Sequence, residues 1–140
     1  MAVTALPDDQ LVPALDARLH LDAVQRVWAA ELLLAHNDSY PTAQNNYSLH
    51  SDDAGIFDFV PSGFDQSQRF LIDLHGGSSP LDERGILFRR CIDHPACLER
   101  YDAALDALGH ALADFDAQAE IDAIAAAIEP WCRPIPAAPS

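Results

Sequence analysis

Residues 45–66 have the sequence NNYSLHSDDAGIFDFVPSGFDQ, and they separate one helical pattern before them from another after them. Tyr47 and Leu49 in 46–51, and Ile56, Phe57 and Phe59 in 56–61, are the β-prone apolar residues of two segments that Asp52-Asp53-Ala54-Gly55 separates. Such residues favour strands, and glycine supplies the positive φ angle that a short hairpin loop requires. The stretch therefore predicts a β-hairpin with strands over 46–51 and 56–61.

Before the hairpin, the sequence predicts one helix and then a polar loop. Apolar residues recur at intervals of three and four over 21–35, which is the spacing of one buried helix face. Residues 36–44 are polar and turn-prone, and Pro41 is expected to end any helix there. The apolar positions of the helix are Leu21, Val24, Val27, Trp28 and Leu32.

After the hairpin, the sequence predicts a helical subdomain. A short helix is expected over 81–90, a long one from Pro95 to about Asp114, and a last one that Pro130 stops. The long helix carries a continuous apolar seam, which predicts core packing along its whole length. The seam consists of Leu98, Tyr101, Leu105, Leu108, Leu112 and Phe115.

These elements together predict the fold class α+β, mainly α, with one β-hairpin followed by a helical subdomain. Residues 1–20 are expected to form an N-terminal lead-in, 21–130 the main region, and 131–140 a Pro-rich tail. The segment Gly76-Gly77-Ser78-Ser79-Pro80 has the composition of a linker.

The charge balance excludes several function classes. The 140 residues carry 22 Asp and Glu against 8 Lys and Arg, which gives a net charge of −14, and all eight cations are arginine. Nucleic acids and anionic membranes are bound through neutralising cations, so neither is an expected partner. The lack of lysine also excludes a Walker A loop or a lysine Schiff base. No membrane span and no signal peptide are predicted, because long apolar runs are missing.

The three cysteines leave two alternatives open. Cys91 and Cys97 lie six positions apart around a helix entry, where a local disulfide is feasible, with Cys132 left over. Three ordinary buried thiols are an equally acceptable interpretation, since sequence alone does not give the geometry of a disulfide. A zinc site is not expected, because no C-x-x-C motif is present.

Polar residues at the two ends of the hairpin form the candidate site. A hairpin brings its ends together, so Asn46 and Asp65 are expected to converge, with Asp38 pointing into the same space from the preceding loop. Two carboxylates and an amide oxygen are hard ligands that suit Mg²⁺. The competing interpretation is that all three are turn-forming residues in solvated loops.

Four segments resemble the CotH family of spore-coat-type atypical protein kinases. They are LLAHNDSY at 33–40, NNYSLH at 45–50, FDFVPSGFDQ at 57–66 and RRCIDHPACLERY at 89–101. The ordered set is more specific than any one segment, and the resemblance spans most of residues 20–130. It implies the C-terminal-lobe portion of an atypical protein-kinase fold.

The resemblance also implies an activity and residue roles. Asp38 would be the catalytic aspartate, and Asn46 and Asp65 would be ligands of Mg²⁺ or Mn²⁺. The activity would transfer phosphate from ATP to Ser or Thr of a protein substrate, and family habit suggests a surface or extracytoplasmic location. The lobe that supplies the phosphate-contacting lysine has no counterpart in these residues and is expected to be missing.

Three competing readings remain. One interpretation is a catalytically inactive kinase fragment, and another is an acidic module that binds a metal or a partner without phosphate transfer. A hydrolase dyad of His36 and Asp38 is a weaker alternative, because neighbouring loop positions need not face each other.

Overall fold

The computed structural model describes residues 6–67 and 84–131, and these are mainly helical with one two-stranded antiparallel sheet. The fold class predicted from the sequence is therefore confirmed. The helices are α1 Asp8–Asp16, α2 Leu21–Leu33, α3 Tyr40–Ala43, α4 Ile86–Ile92, α5 Pro95–Ala113 and α6 Ala117–Ile128; the strands are β1 Tyr47–Ser51 and β2 Phe57–Pro61; short 3-10 turns cover Phe64–Gln66 and Glu129–Trp131.

The hairpin forms where the sequence predicts it, with each strand beginning one residue later. Tyr47 pairs with Pro61 at one end, and Ser51 pairs with Phe57 at the turn. Gly55 has φ +78°, as the turn requires. The Asp52 carboxylate closes the turn by accepting hydrogen bonds from the backbone of Ala54 and Ile56, at 2.9 and 2.8 Å.

Backbone contacts attach the hairpin to the chain that precedes α2. The amide of Phe57 donates to the Arg18 carbonyl at 2.8 Å, and the His20 amide donates to the Phe57 carbonyl at 3.1 Å. This pairing forms a short parallel bridge between Leu19 and Phe57. The hairpin is therefore fixed to the helical part at the end that carries its turn.

An aromatic cluster centred on Trp28 forms the core. The Trp28 ring contacts the rings of Tyr40, Phe59 and Phe88 with centroids 5.6–5.9 Å apart. Phe88 in turn meets Tyr101 of α5 at 5.5 Å, edge to face. Burying a side chain of this size contributes about 1.5–3 kcal/mol, so the cluster joins α2, α3, β2, α4 and α5.

The N-terminal lead-in belongs to this core. Residues 8–16 form α1, and Leu11, Leu15 and Leu19 are buried against the main cluster. Just before α1, the backbone carbonyl of Leu6 accepts a hydrogen bond from the side chain of Arg90 at 2.8 Å. The first helix is thus a structural part of the main unit.

A disulfide joins Cys91 at the end of α4 to Cys97 in the first turn of α5. Of the two alternatives left open by the sequence, the local bridge is the one present. The buried amide of Gln25 donates to the Cys91 sulfur at 3.1 Å and to the Cys97 carbonyl at 3.0 Å. The bridge is therefore packed against α2.

The chain divides into two compact units, 1–109 and 110–140. In the first unit, Tyr101 of the α5 seam is buried and Leu98, Leu105 and Leu108 are partly buried. In the second unit, Leu112 and Phe115 are exposed, so core packing was wrongly predicted for the end of the seam. Helical spacing indicates that a helix has an apolar face, but not that another element covers that face.

Within the described parts of the chain, none of the helices has the length and apolar character needed to cross a membrane. The predicted linker over 76–80, and the tail beyond Trp131, lie outside the described residues.

Candidate functional site

The loop between α2 and β1 begins with a tight reversal after Leu33. Ala35 has φ +51°, and the His36 amide donates to the Glu31 carbonyl at 2.8 Å. This reversal directs the chain back over the last turn of α2. His36 is consequently fully buried, while the next residues stay near the surface.

A short helix, α3, then fixes the loop, which corrects the expectation that Pro41 ends any helix. Pro41 lies in the first turn, where its missing N–H has no helical partner in any case. Ser39 and Thr42 form a capping box, with the Ser39 amide donating to Thr42 Oγ1 at 3.2 Å. Thr42 Oγ1 also donates to the Asn37 carbonyl at 2.6 Å, so the backbone on both sides of Asp38 is held.

The Asp38 carboxylate is held by two side-chain amides. Asn46 Nδ2 donates to Asp38 Oδ2 at 2.9 Å, and Asn45 Nδ2 lies 3.1 Å from both carboxylate oxygens. Asn46 adopts φ +50°, a left-handed conformation that asparagine tolerates better than most residues. Asp38 and Asn46, two of the three candidate residues, are therefore in direct contact.

The hairpin brings Gly63 against Asn46. The Ser62 amide donates to the Asn46 carbonyl at 2.8 Å, which extends the pairing one step beyond the strands. Gly63 has φ +73°, and a Cβ atom built there would lie 2.8 Å from Cγ and Nδ2 of Asn46. Only glycine fits this contact without displacing the amide that holds Asp38.

Asp65 lies in the 3-10 turn Phe64–Gln66, directly after Gly63, and is exposed. Its side chain makes no hydrogen bond or ion pair with the described residues. Asp65 therefore lies on the turn that follows the Asn46–Gly63 contact. Within the described ranges its carboxylate is available to bind a ligand.

His36 ties this turn to the protein interior. Its Nε2 lies 3.0 Å from the Gly63 carbonyl oxygen, and its ring stacks on Phe64 at 4.8 Å between centroids. Its Nδ1 faces Glu31 at 3.8 Å. The two ring nitrogens therefore face Gly63 and Glu31 instead of Asp38, which is not the arrangement of a hydrolase dyad.

Glu31 is a residue that the sequence interpretation missed. It is 1% exposed, and burial raises the pKa of its carboxyl group to about 8. The available signal was its position: Glu31 comes three residues after Trp28 and directly before Leu32, inside the apolar stripe of α2. A carboxyl group at such a position is costly to bury unless it stays protonated or finds a partner.

The donor chemistry of the site fits a hard divalent cation. Because Asn46 donates its Nδ2 to Asp38, its Oδ1 remains as an acceptor, and the Asp65 carboxylate is a second oxygen donor. Mg²⁺ is commonly held by one or two such protein oxygens together with water and phosphate. Across residues 6–67 and 84–131, no group of three or more His, Cys, Asp or Glu side chains is placed to hold a metal. A cation here would thus depend on the amide oxygen of Asn46.

No known protein family matches this sequence, and no curated protein matches it. The likeness to the CotH family accordingly depends on the four quoted segments.

Proposed function

We propose that this chain is the C-terminal-lobe region of a CotH-like protein Ser/Thr phosphotransfer unit, with Asp38 as general base and Asn46 and Asp65 as Mg²⁺ ligands. The observation that carries the proposal is the contact of Asp38 with Asn46, made beside the glycine that precedes the Asp65 turn. A base, an amide ligand and a carboxylate ligand occur in this chain order in kinase sites.

Asp38 has the geometry of an oriented base. Its carboxylate accepts hydrogen bonds from Asn45 and Asn46, which limit its rotation, and it is only half-buried. In the proposed reaction, a Ser or Thr hydroxyl oxygen forms a bond to the terminal phosphorus of ATP, and ADP leaves. Asp38 accepts the hydroxyl proton.

Asn46 serves two purposes in this proposal. Its Nδ2 holds the base, and its Oδ1 is a ligand for the cation, so one side chain sets the spacing between base and cation. A bound Mg²⁺ neutralises the charge of the phosphate oxygens. Gly63 packs against the Asn46 side-chain amide, and Asp65 follows Gly63 by two residues, so the chain connection between the two proposed ligands is short.

Metal binding is the first test. Titration with Mn²⁺, followed by electron paramagnetic resonance, should show a bound ion in the wild type and about tenfold weaker binding in Asp65→Ala, since one charged ligand is lost. Asp53→Ala is the matched control, because Asp53 is an exposed aspartate of the hairpin turn and should leave the affinity unchanged. Equal affinity in all three proteins would contradict the assignment of Asp65.

Phosphate transfer is the second test. Incubation with labelled ATP, Mg²⁺ or Mn²⁺ and a Ser-rich peptide should label the peptide with the wild type and at least about 100-fold less with Asp38→Asn. Asp58→Asn is a control for the loss of one negative charge, because Asp58 lies on β2 and bonds to His20 instead of Asp38 or Asn46. Equal labelling by wild type and Asp38→Asn would remove Asp38 from the reaction.

A metal-binding module without phosphate transfer is the second candidate. The observation that favours it is the absence of lysine from all 140 residues, because kinase sites place a lysine on the nucleotide phosphates. Mn²⁺ binding that depends on Asp65, together with no peptide labelling, would select this candidate or an inactive fragment over an active transferase.

A further inference from the structure

Glu31 and His36 form a buried pair in the core behind the candidate site. Their side chains are 1% and 0% exposed, and Glu31 Oε1 lies 3.8 Å from His36 Nδ1. Neither carboxyl oxygen of Glu31, nor Nδ1 of His36, has a hydrogen-bond partner within the described residues. A buried polar atom without a hydrogen-bond partner destabilises the folded state, so this arrangement calls for an explanation.

The contact with the Gly63 carbonyl determines which ring nitrogen of His36 carries a hydrogen. A carbonyl oxygen only accepts hydrogen bonds, so His36 Nε2, 3.0 Å from the Gly63 oxygen, must carry a hydrogen. In the neutral ring Nδ1 is then a bare acceptor that points at Glu31. The carboxyl group of Glu31, when protonated, is a donor in need of an acceptor.

The protonated carboxyl group of Glu31 and the Nδ1 atom of His36 are a complementary donor and acceptor. Burial favours the protonated form of Glu31 at neutral pH, and Nδ1 is the acceptor within reach. The gap exceeds a typical hydrogen bond by about 1 Å, which rotation about the side-chain bonds of Glu31 can close. No other ion pair to Glu31 is found in residues 6–67 and 84–131.

We propose that Glu31 is a positioning residue for the turn over 63–66: it donates its carboxyl proton to Nδ1 of His36 in a hydrogen bond, and the imidazole so fixed holds the Gly63 carbonyl. The His36 ring also stacks on Phe64, so His36 contacts two consecutive residues of the turn, Gly63 and Phe64. Glu31, although buried in the core, therefore fixes the position of the turn that carries the exposed Asp65.

The hydrogen bond itself does not depend on any function of the site, whereas its effect on a cation rests on the proposed role of Asp65. Two readouts keep these claims separate. The first is the ¹⁵N resonance of His36 Nδ1, which reports whether this atom carries a hydrogen or accepts one. The second is the affinity for Mn²⁺.

Three variants test the proposal. Glu31→Gln keeps a donor of the same length, and Glu31→Met has similar length with no donor. Gln25→Met is the matched control, because Gln25 is also a buried polar residue of α2 but bonds to the disulfide. We expect wild type, Glu31→Gln and Gln25→Met to share a hydrogen-bonded Nδ1, and Glu31→Met to lose it and bind Mn²⁺ about 5–10-fold more weakly through a looser turn.

Each outcome bears on one claim. A hydrogen bonded covalently to Nδ1 in the wild type would overturn the donor role of Glu31, and this spectrum needs no variant that folds. An unchanged Nδ1 resonance in Glu31→Met would also overturn the donor role. An altered resonance with unchanged Mn²⁺ affinity, in a protein that binds Mn²⁺, would keep the hydrogen bond but overturn the positioning role of Glu31. A Nδ1 resonance that changes as expected, in a wild-type protein that binds no Mn²⁺, would support the hydrogen bond and remove the proposed function.

Discussion

Asn46 fills the space that a side chain at position 63 would need, since a Cβ atom on Gly63 would lie 2.8 Å from Asn46 Cγ. The same Asn46 amide holds Asp38. Substitution of Gly63 therefore has consequences beyond local strain, because relief of the contact moves the amide that orients the candidate base.

Gly63→Ala tests this relationship. A positive φ angle is unfavourable for alanine by about 1–2 kcal/mol, and the contact with Asn46 adds a further cost of about 1 kcal/mol or more. Gly55→Ala is a close control, because Gly55 has φ +78° but nothing lies within 4 Å of its added Cβ. Urea denaturation should show the larger loss for Gly63→Ala, and equal losses would mean that the Asn46 contact relaxes without cost.

Gly85 lies against the ring of Tyr40, and a Cβ atom there would overlap Cε1 and Cζ. The Gly85 amide donates to the Tyr40 carbonyl at 3.1 Å, and the Leu87 amide donates to the Tyr40 hydroxyl at 2.9 Å. Gly85→Ala should therefore lower the free energy of unfolding by about 2–4 kcal/mol. Gly109→Ala, in open space inside α5, should instead raise it by about 0.5–1 kcal/mol; destabilisation by both variants would contradict the specific clash.

Reduction of the Cys91–Cys97 disulfide should destabilise the fold only moderately. The bridge closes a short loop, for which the entropy model gives about 2 kcal/mol. Denaturation of a Cys132→Ser protein with and without reductant measures this difference and avoids exchange with the third thiol. A change below about 0.5 kcal/mol would show that Gln25 and the surrounding core hold α4 and α5 together without the bridge.

The raised pKa of Glu31 makes stability depend on pH in a defined direction. The folded state binds this proton more tightly than the unfolded state, so stability declines as pH rises from the ordinary glutamate range to about 8. Glu31→Gln removes the titration, and should be about 2–4 kcal/mol more stable than wild type near pH 8 but similar to it below about pH 4. Parallel stability profiles for the two proteins would contradict the buried, protonated state.

His20, on the surface, should also lower stability as pH rises, starting from the ordinary histidine range. A hydrogen bond to Asp58 is the main cause that raises the pKa of His20, and the charges of Asp58 and Asp52 add to it. The resulting stabilisation is present below the ordinary histidine pKa and is lost as pH rises through the raised value. Thermal unfolding of wild type and Asp58→Asn should therefore differ at about pH 5.5 and converge near pH 9; a constant difference would mean that the contact does not titrate.

Local pattern predicted much of the fold. The hairpin, α2 and the long α5 follow from residue type and spacing, and their ends agree with the structure to within about two residues. Short-range rules failed at Pro41, which lies in the first turn of α3 instead of ending a helix, because Ser39 and Thr42 cap a helix there. They failed again at Leu112 and Phe115, because whether an apolar face is covered depends on tertiary packing.

The candidate site was partly within reach of the sequence. The sequence predicted that Asp38 points into the space beside Asn46, and Nδ2 of Asn46 lies 2.9 Å from Oδ2 of Asp38. The convergence of Asn46 with Asp65 stays a prediction. The roles of Glu31 and His36 depend on which way a tight reversal turns two side chains, and residue spacing does not encode this. Gly63 as the contact for Asn46 is likewise a matter of three-dimensional approach.

The order of the core rings along the chain determines which of them can meet first while the protein is being synthesised. Trp28, Tyr40 and Phe59 all lie within residues 8–61, and they contact one another directly. Chains emerge from the ribosome from the N-terminus, so these three rings can assemble while the partner of the remaining Trp28 edge, Phe88, is still inside the exit tunnel. A nascent chain at that stage leaves uncovered the edge of Trp28 that Phe88 contacts in the folded protein.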